Sequence, residues 1–316
     1  MEQAVRLGPV PGLLAVLAAV ALAAAGCGTA RQSAPVRARS GSVPTRSAGT
    51  GLPAGAAGGS RGVAEQMSRR LLRHLVLPPG AGPIGSRRVP GLLRHPPEII
   101  ESGHLLQRHA IFTVPRTAGW TLRYVGAHVP RGLTQTGTGQ TSGPAGPRYV
   151  IWSPRHLPRG LYQAELLVSV LAAGPRTLVR ADAQVVWYPP RSAAEYIRPA
   201  RFSSARLSVT VINPHTRTVR RVITSRAAIA ALARSLNRLP ADPGLVYHCP
   251  AILAGYRITF VPAAAGQVPV AAAPDGCNGV SMTAAGTPQP GLVGGGATIA
   301  LIHRLTGVHP SLRAPA

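Results

Sequence analysis

Apolar and polar residues alternate along two stretches near the middle of the chain, residues 162–170 and 178–188. A period of two is typical of a β-strand that buries only one face. In the second stretch the apolar residues take the odd positions, so we expect Arg180, Asp182 and Gln184 to point outward from the sheet. The two stretches therefore predict neighbouring strands with one apolar and one polar face.

Around these strands the pattern predicts a small mixed domain. Apolar runs at residues 109–114 and 149–153 indicate further strands, and helical spacing in residues 118–129 indicates a helix that ends before Pro130. Residues 131–147 are rich in Gly, Thr and Ser and predict a loop. The order β-α-β-β-β predicts an antiparallel sheet of three or four strands with a helix on one face.

The last third of the chain has a similar pattern. Ser225 is a favourable N-cap for a helix over residues 226–237, and a second helix is expected at residues 298–305. Strands are predicted at residues 207–211, 217–224, 256–261, 267–273 and 280–282. The order β-β-α-β-β-β-α completes an α+β fold of two antiparallel-sheet domains, which we place at residues 63–200 and 201–316.

A helix with an apolar stripe is predicted before the first strands. Ala64, Met67, Leu71 and Leu75 recur at helical spacing, and several arginines lie off this stripe. Two interpretations are open. The stripe packs on its own domain, or the helix lies on a bilayer with its basic side toward the headgroups.

The beginning of the chain has the features of an export signal. An apolar run at residues 13–25 follows Arg6 and ends in A-A-G before Cys27. This order resembles a bacterial lipoprotein signal, which implies that residues 1–26 are removed and that Cys27 becomes a lipid-bearing N-terminus. A plain secretory signal cleaved near Ala25 and an uncleaved anchor are alternatives, although 13 apolar residues are fewer than the ~20 that span a bilayer.

Composition and charge add a linker and a basic surface to this picture. Residues 27–62 contain almost no large apolar side chain and are expected to form a disordered linker. The chain has 34 basic residues, all arginine, against nine acidic ones, a net charge of +25. This charge attracts anions, for which anionic lipid and wall polymer are the candidates, whereas export argues against nucleic acid. A GC-rich genome explains arginine in place of lysine, but it does not explain the shortage of acidic residues.

The two remaining cysteines, Cys249 and Cys277, predict one disulfide, because they form an even pair in an oxidising compartment. Residue 263 lies midway between them in a predicted hairpin loop, so we expect the pair to close the open end of that hairpin. A metal site at His248 and Cys249 lacks the paired C-x-x-C spacing of zinc sites. No metal or cofactor is expected.

Catalytic motifs are scarce, since the chain has no lysine, no H-E-x-x-H and no G-x-S-x-G. One polar cluster is expected, in which Arg180 and Asp182 share a strand face while Arg191 and Glu195 lie four residues apart. It predicts a network of salt bridges. The alternative is acid–base chemistry by a carboxylate pair that also uses Glu165, and this requires an open pocket with two carboxylates that lack arginine partners.

Several motifs carry a resemblance to a group of proteins. They are N-x-L-P at residues 237–240, H-C-P at residues 248–250, the strand Y-R-I-T-F, and D-G-C-N-G-V at residues 275–280. Over roughly residues 64–306 the chain resembles uncharacterised exported proteins of actinobacteria, many of them lipoproteins without an assigned function. The resemblance implies export and the disulfide, and it implies no catalytic residue.

These observations lead to one expected function and two alternatives. We expect a membrane-anchored lipoprotein of the cell envelope that binds or scaffolds a partner without catalysis. A secreted hydrolase that uses a carboxylate pair is the first alternative. An inhibitor or sensor domain for another envelope protein is the second.

Overall fold

The computed structural model describes residues 57–85, 89–141, 143, 145–212, 216–246, 254–267, 269–275 and 279–308. They all belong to one compact unit of the chain, Ser47–Ala316. They form two six-stranded antiparallel sheets and four α-helices, which confirms the predicted α+β fold. The signal at residues 1–26, nearly all of the linker at 27–62, and the three cysteines Cys27, Cys249 and Cys277 lie outside the described residues.

The first sheet has six strands, more than the three or four expected. It consists of β1 (Gly82–Pro83), β2 (Leu105–Val114), β3 (Leu133–Gln140), β4 (Arg148–Pro154), β5 (Leu161–Ala173) and β6 (Arg176–Trp187), in the order β1-β2-β6-β5-β4-β3. The loop predicted at residues 131–147 is wrong, because it contains β3. This strand pairs only with β4 and keeps most of its polar side chains in solvent, so backbone pairing forms it without an apolar pattern.

Two helices cover one face of this sheet, α1 (Ala57–Arg73) and α2 (Ala118–Ala127). Ala64, Met67 and Leu71 on α1 are buried in the core beneath it. The apolar stripe therefore packs on its own sheet, and the structure decides between the two interpretations of this helix. The helix begins six residues before Val63, inside the segment expected to be linker.

The opposite face of the first sheet is also covered, and here the expectation from alternation is wrong. Arg180, Asp182 and Gln184 do point away from the α1 side, but they are buried rather than exposed to solvent. The proline-rich segment at residues 89–101 lies over them, and its Val89 and Leu93 form a small apolar cluster with Ile111 and Leu171 of the sheet. The alternation in a strand shows which face is apolar, but it does not show whether a distant segment of the chain covers the other face.

The second sheet has the order β12-β11-β10-β9-β7-β8. Its strands are β7 (Phe202–Val211), β8 (Arg217–Ile223), β9 (Ala254–Pro262), β10 (Val270–Pro274), β11 (Gly279–Ala284) and β12 (Thr287–Val293). The helices α3 (Arg226–Asn237) and α4 (Gly296–Thr306) pack on one face. The start of α3 is confirmed, since the Ser225 side chain accepts a hydrogen bond from the Ala228 N–H at 3.4 Å. No strand was predicted at β12, whose two prolines are tolerated because it lies at an edge of the sheet.

The hairpin of β9 and β10 is shifted from its expected register. Val270 faces Phe260 and Ala272 faces Ile258, so the turn is centred on residue 265 rather than 263. The paired part of the hairpin stops well before Cys249 and Cys277, and the second of these falls between β10 and β11 in the chain. The register as expected is therefore wrong, and the disulfide itself stays a prediction.

Candidate binding cleft

A cleft of about 480 Å³ opens between the first sheet and the chain segment that follows α3. We call it the acidic cleft, because three of its lining residues are Glu98, Glu101 and Glu165. The other lining residues are aromatic, amide or aliphatic: Tyr162, Gln163, Ile99, Ile100, Leu245 and Val246. Ile99 and Val246 are 51% and 59% exposed, so the rim of the cleft presents aliphatic surface to solvent.

An irregularity in β5 aims two consecutive side chains at the cleft. The register with β6 shifts between Leu161 and Gln163, which is the signature of a β-bulge. A regular strand would send Tyr162 and Gln163 to opposite faces, but both line the cleft. Glu165 then follows Gln163 on the same face, and the Gln163 amide donates a hydrogen bond of 2.6 Å to its carboxyl group.

The buried side chain of Gln184 holds the segment that carries the other two carboxylates. Its amide nitrogen donates to the Glu98 carbonyl at 2.7 Å, and its amide oxygen accepts from the Ile100 N–H at 2.8 Å. Gln184 lies directly opposite Glu165 in the pairing of β5 with β6. This one glutamine therefore fixes the backbone of the Glu98–Glu101 stretch beside Glu165.

A tight turn after α3 supplies the far wall. The Asp242 carboxylate accepts hydrogen bonds from the N–H groups of Gly244 and Leu245, and Ser102 donates to the Pro243 carbonyl at 2.6 Å. Gly244 has φ +73°, and a Cβ there would lie 3.3 Å from the Gly103 nitrogen. Glycine is therefore required for this turn to lie against the first half of the chain and present its aliphatic residues to the cleft.

The cleft changes the acidity of its own groups. Burial raises the pKa of Glu165 above its ordinary value, the charge of nearby Glu98 raises it further, and the Gln163 hydrogen bond opposes this. Tyr149 donates a hydrogen bond to Glu98, and burial together with that contact raises the pKa of Tyr149 to about 12. The carboxyl of Glu165 therefore holds its proton to a higher pH than a carboxyl in water.

The partners of the carboxylates distinguish the cleft from the rest of the described chain. Outside the cleft, each described carboxylate binds arginine (Glu65, Asp182, Glu195) or backbone N–H groups (Asp242, Asp275). Inside it, Glu98 binds a tyrosine, Glu165 binds a glutamine, and Glu101 has no partner among the described residues. In a chain with 34 arginines, three carboxylates without an arginine therefore lie together in one cleft.

The polar cluster expected from the sequence is two separate ion pairs. Arg180 binds Asp182 through two hydrogen bonds of 2.7 Å and donates to the carbonyl groups of Leu93 and Arg94. Gln107 also donates to Asp182. This pair is buried and anchors the segment at residues 89–101 that covers the sheet. Neither side chain is therefore open to a substrate.

The second pair joins the two halves of the chain. Arg191 contacts Glu195 at 3.4 Å and donates to the carbonyl groups of Leu236, Asn237 and Leu239 at the end of α3. Among the described residues the two pairs have no partner in common. The salt-bridge interpretation therefore describes all four residues, and Glu165 alone, of the acidic residues considered, lies in an open cleft.

Glu98 and Glu101 were not considered in the sequence-based search. Their signal was present, because two of only nine acidic residues fall three positions apart in E-I-I-E. Among the described residues no group of three or more His, Cys, Asp or Glu side chains is arranged to hold a metal ion, so the three carboxylates do not converge on one point. The cleft presents them as separate contacts along its walls.

Comparison of the chain with protein-family models, curated proteins and solved structures finds no match. In the described part of the chain, no helix combines the length and apolar character needed to span a bilayer.

Proposed function

We propose that this protein is a lipid-anchored protein of the cell envelope that binds, without catalysis, a ligand with a cationic group in the acidic cleft. The observation that carries the proposal is the set of three carboxylates without arginine partners in a concave site. Clefts that combine apolar walls with a few polar groups are the usual form of ligand sites. The predicted lipid on Cys27 and the linker after it would hold this cleft at the outer face of the plasma membrane.

The charge of the whole molecule restricts the ligand. A net charge of +25 repels free cations at long range, so a simple amine gains little from approaching the protein. A ligand that also contacts Ile99 and Val246 at the rim gains from apolar burial as well as from the carboxylates. The cationic side chains of a protein or peptide segment have this combination, which agrees with the alternative of a sensor or inhibitor of another envelope protein.

A matched pair of small probes tests this proposal. 2-Phenylethylamine and 2-phenylethanol have the same aromatic body and differ in the cationic group. We expect the amine to bind the cleft at least tenfold more tightly by calorimetric titration, which corresponds to about 1.4 kcal/mol. Replacing Glu98, Glu101 and Glu165 by Gln should remove this preference. Equal binding of the two probes, or a preference that survives the triple substitution, would contradict the proposal.

A hydrolase remains the second candidate function, because the acidic cleft meets the condition set for it. Burial raises the pKa of Glu165 while Glu98 lies close enough to add to that effect, and such pairs supply the acid and the base in glycoside hydrolysis. Incubation with oligosaccharides of the envelope tests this function. Turnover that is lost in both Glu165→Gln and Glu98→Gln would favour the hydrolase over the binding protein.

A further inference from the structure

Among the described helices, none covers one of the two faces of the second sheet. α3 contacts β7, and α4 contacts β8 and β10, on the side where Leu207 and Val209 are buried. The alternate positions of β7 point the other way, and they carry only short polar side chains and Arg206. We call this side, across β7, β8 and β9, the basic face.

Three exposed arginines lie together on the basic face. Ser208 on β7 is directly opposite Arg220 on β8 and Arg257 on β9, so these two arginines flank it on neighbouring strands. With strands about 4.8 Å apart, their backbone positions are separated by about 10 Å. Arg206 lies on the same face two residues before Ser208, about 7 Å along the strand.

No acidic residue opposes these arginines. None of the six strands of the second sheet contains Asp or Glu. From residue 196 to the end, the chain has twelve arginines and two acidic residues, Asp242 and Asp275, which bind backbone N–H groups in turns. Among the described residues Arg206, Arg220 and Arg257 form no ion pair, so their charge is available to an external anion.

Two large aliphatic side chains share the basic face. Val222 is directly opposite Arg206 and is 64% exposed. Ile212 comes directly after β7, continues the alternation of side chains on this face, and is 47% exposed. Between them lie short side chains such as Thr210 and Thr218, whose hydroxyl groups are 3.0 Å apart. The face therefore presents arginines and aliphatic residues side by side to solvent.

We propose that the basic face docks on the surface of an anionic lipid bilayer, with Arg206, Arg220 and Arg257 on headgroup phosphates and Ile212 and Val222 in the boundary region. Arginine binds phosphate through paired N–H donors, and aliphatic residues gain free energy in the boundary between headgroups and acyl chains. A soluble anionic polymer offers the same phosphate but no apolar layer. The inference rests on the proposed location in the envelope, where the linker keeps this face near the membrane.

Vesicle co-sedimentation tests the docking with a chain that begins at Gly28 and lacks the lipid. This chain keeps the whole compact unit Ser47–Ala316, which holds both sheets and their helices. It should bind vesicles that contain phosphatidylglycerol and not vesicles of phosphatidylcholine alone. Raising the salt from ~0.1 M to ~1 M shortens the Debye length from ~10 Å to ~3 Å and should weaken the binding steeply.

The chain offers a matched control for the three arginines. Replacing Arg206, Arg220 and Arg257 by Gln should weaken vesicle binding roughly a hundredfold, since each arginine at the surface contributes about 1 kcal/mol. The control replaces three exposed arginines of α1 by Gln, namely Arg69, Arg70 and Arg73. It removes the same charge from another surface and should have a much smaller effect on vesicle binding. Equal losses in the two variants would overturn the proposal, because total charge and not the face would then govern binding.

A second variant separates the bilayer from a soluble polymer. Ile212→Ser with Val222→Ser should weaken vesicle binding about tenfold and leave the binding of inorganic polyphosphate unchanged. If this variant binds vesicles as tightly as the parent chain, the face recognises phosphate alone and the bilayer proposal is wrong. All substituted residues are exposed, and unchanged thermal unfolding checks that each variant is folded. Neither result depends on Cys27 or on the acidic cleft, so failure here leaves the proposed function standing.

Discussion

At Glu165 a single half-buried carboxyl group connects the fold to the proposed site. It lies opposite Gln184, which holds the backbone of Glu98 and Ile100, and it accepts a hydrogen bond from Gln163. The arrangement gives Glu165 an amide donor but no cation. The hydrogen bond from Gln163 therefore offsets only part of the free energy that burial of the charged carboxylate costs. This cost depends on pH, because it applies only when Glu165 is deprotonated.

We predict that Glu165→Gln stabilises the protein near neutral pH more than in acid. Because burial raises the pKa of Glu165, the folded state holds this proton more tightly than the unfolded state. The stability that the proton provides is complete below the unfolded pKa of about 4.5 and is lost as the pH rises through the folded pKa. Glutamine stays neutral, so the advantage of the variant should grow between about pH 4 and about pH 7 in urea unfolding. Glu101→Gln, at an exposed position, is the control, and an advantage of Glu165→Gln that is the same at both pH values would contradict the prediction.

The buried pair of Arg180 and Asp182 provides a second prediction at this scale. Asp182→Ala leaves the guanidinium of Arg180 buried, 4% exposed and without its carboxylate. Removing one partner of a buried pair costs about 3 to 5 kcal/mol, which should appear as a lower midpoint of denaturant unfolding. The exposed pair of Arg61 and Glu65 is the control, since Glu65→Ala should cost about 1 kcal/mol or less. Equal costs for the two substitutions would mean that the covering segment does not depend on Arg180.

Among the elements, the edge strands β1, β3 and β12 and the segment at residues 89–101 that covers the first sheet were not predicted as such, whereas the edge strand β8 was. Strands with one apolar face on the main core, such as β5, β6 and β7, show an alternation that packing of this face imposes on the sequence. The edge strand β3 needs only backbone pairing on one side and keeps a polar sequence. α1 shows the opposite case, because its apolar stripe was evident, and only the packing of the sheet against it settled what it contacts.

The two connections that contain Cys249 and Cys277 lead to a prediction for the hairpin of β9 and β10. β9 begins at Ala254 and β10 ends at Pro274, and these two antiparallel ends lie at the same end of the sheet. We expect Cys249 and Cys277 to form a disulfide there, and Cys277→Ser to lower the free energy of unfolding by roughly 2 to 5 kcal/mol. Intact mass before and after reduction of a chain that begins at Gly28 measures the bond directly, because those are its only cysteines. A mass that does not change on reduction would disprove it.

For the whole molecule, the charge is distributed in a way that separates two surfaces. Three carboxylates without arginine partners lie in the acidic cleft, while three arginines without carboxylate partners lie together on the basic face. A protein with a lipid at its N-terminus and a basic face toward the bilayer is held at the membrane by two signals.

The attachment itself gives a prediction for the whole molecule in the cell. Cys27→Ala should either release the protein from the membrane fraction or leave an unprocessed precursor, because no thiol is then available for the lipid. Fractionation and immunoblotting of the expressing cells measure both outcomes. A variant that remains fully membrane-bound and is normally processed would show that Cys27 carries no lipid. Washing the membranes with high salt separates this attachment from docking through the basic face.

The sequence by itself determined the class of the fold and most of its helices and central strands. Burial acts on each of these elements through a local period of two or 3.6 residues, and Ser225 marks the start of α3 through a hydrogen bond within one turn. The excess of positive charge was also readable, because 34 arginines stand against nine acidic residues. The arginine partners of Asp182 and Glu195 were predictable for the same reason, since each lies within four residues.

Only the tertiary structure decided which polar groups are left without such partners. Glu98 and Glu165 are 67 positions apart in the chain, and Gln184 brings them to one cleft through hydrogen bonds that no local pattern records. The same holds for Arg220 and Arg257. They lie on either side of Ser208 because β8 and β9, which are distant in the chain, both pair with β7. Local periodicity reports the burial of an element, whereas a site depends on the register and order of strands, which are set by contacts between distant segments.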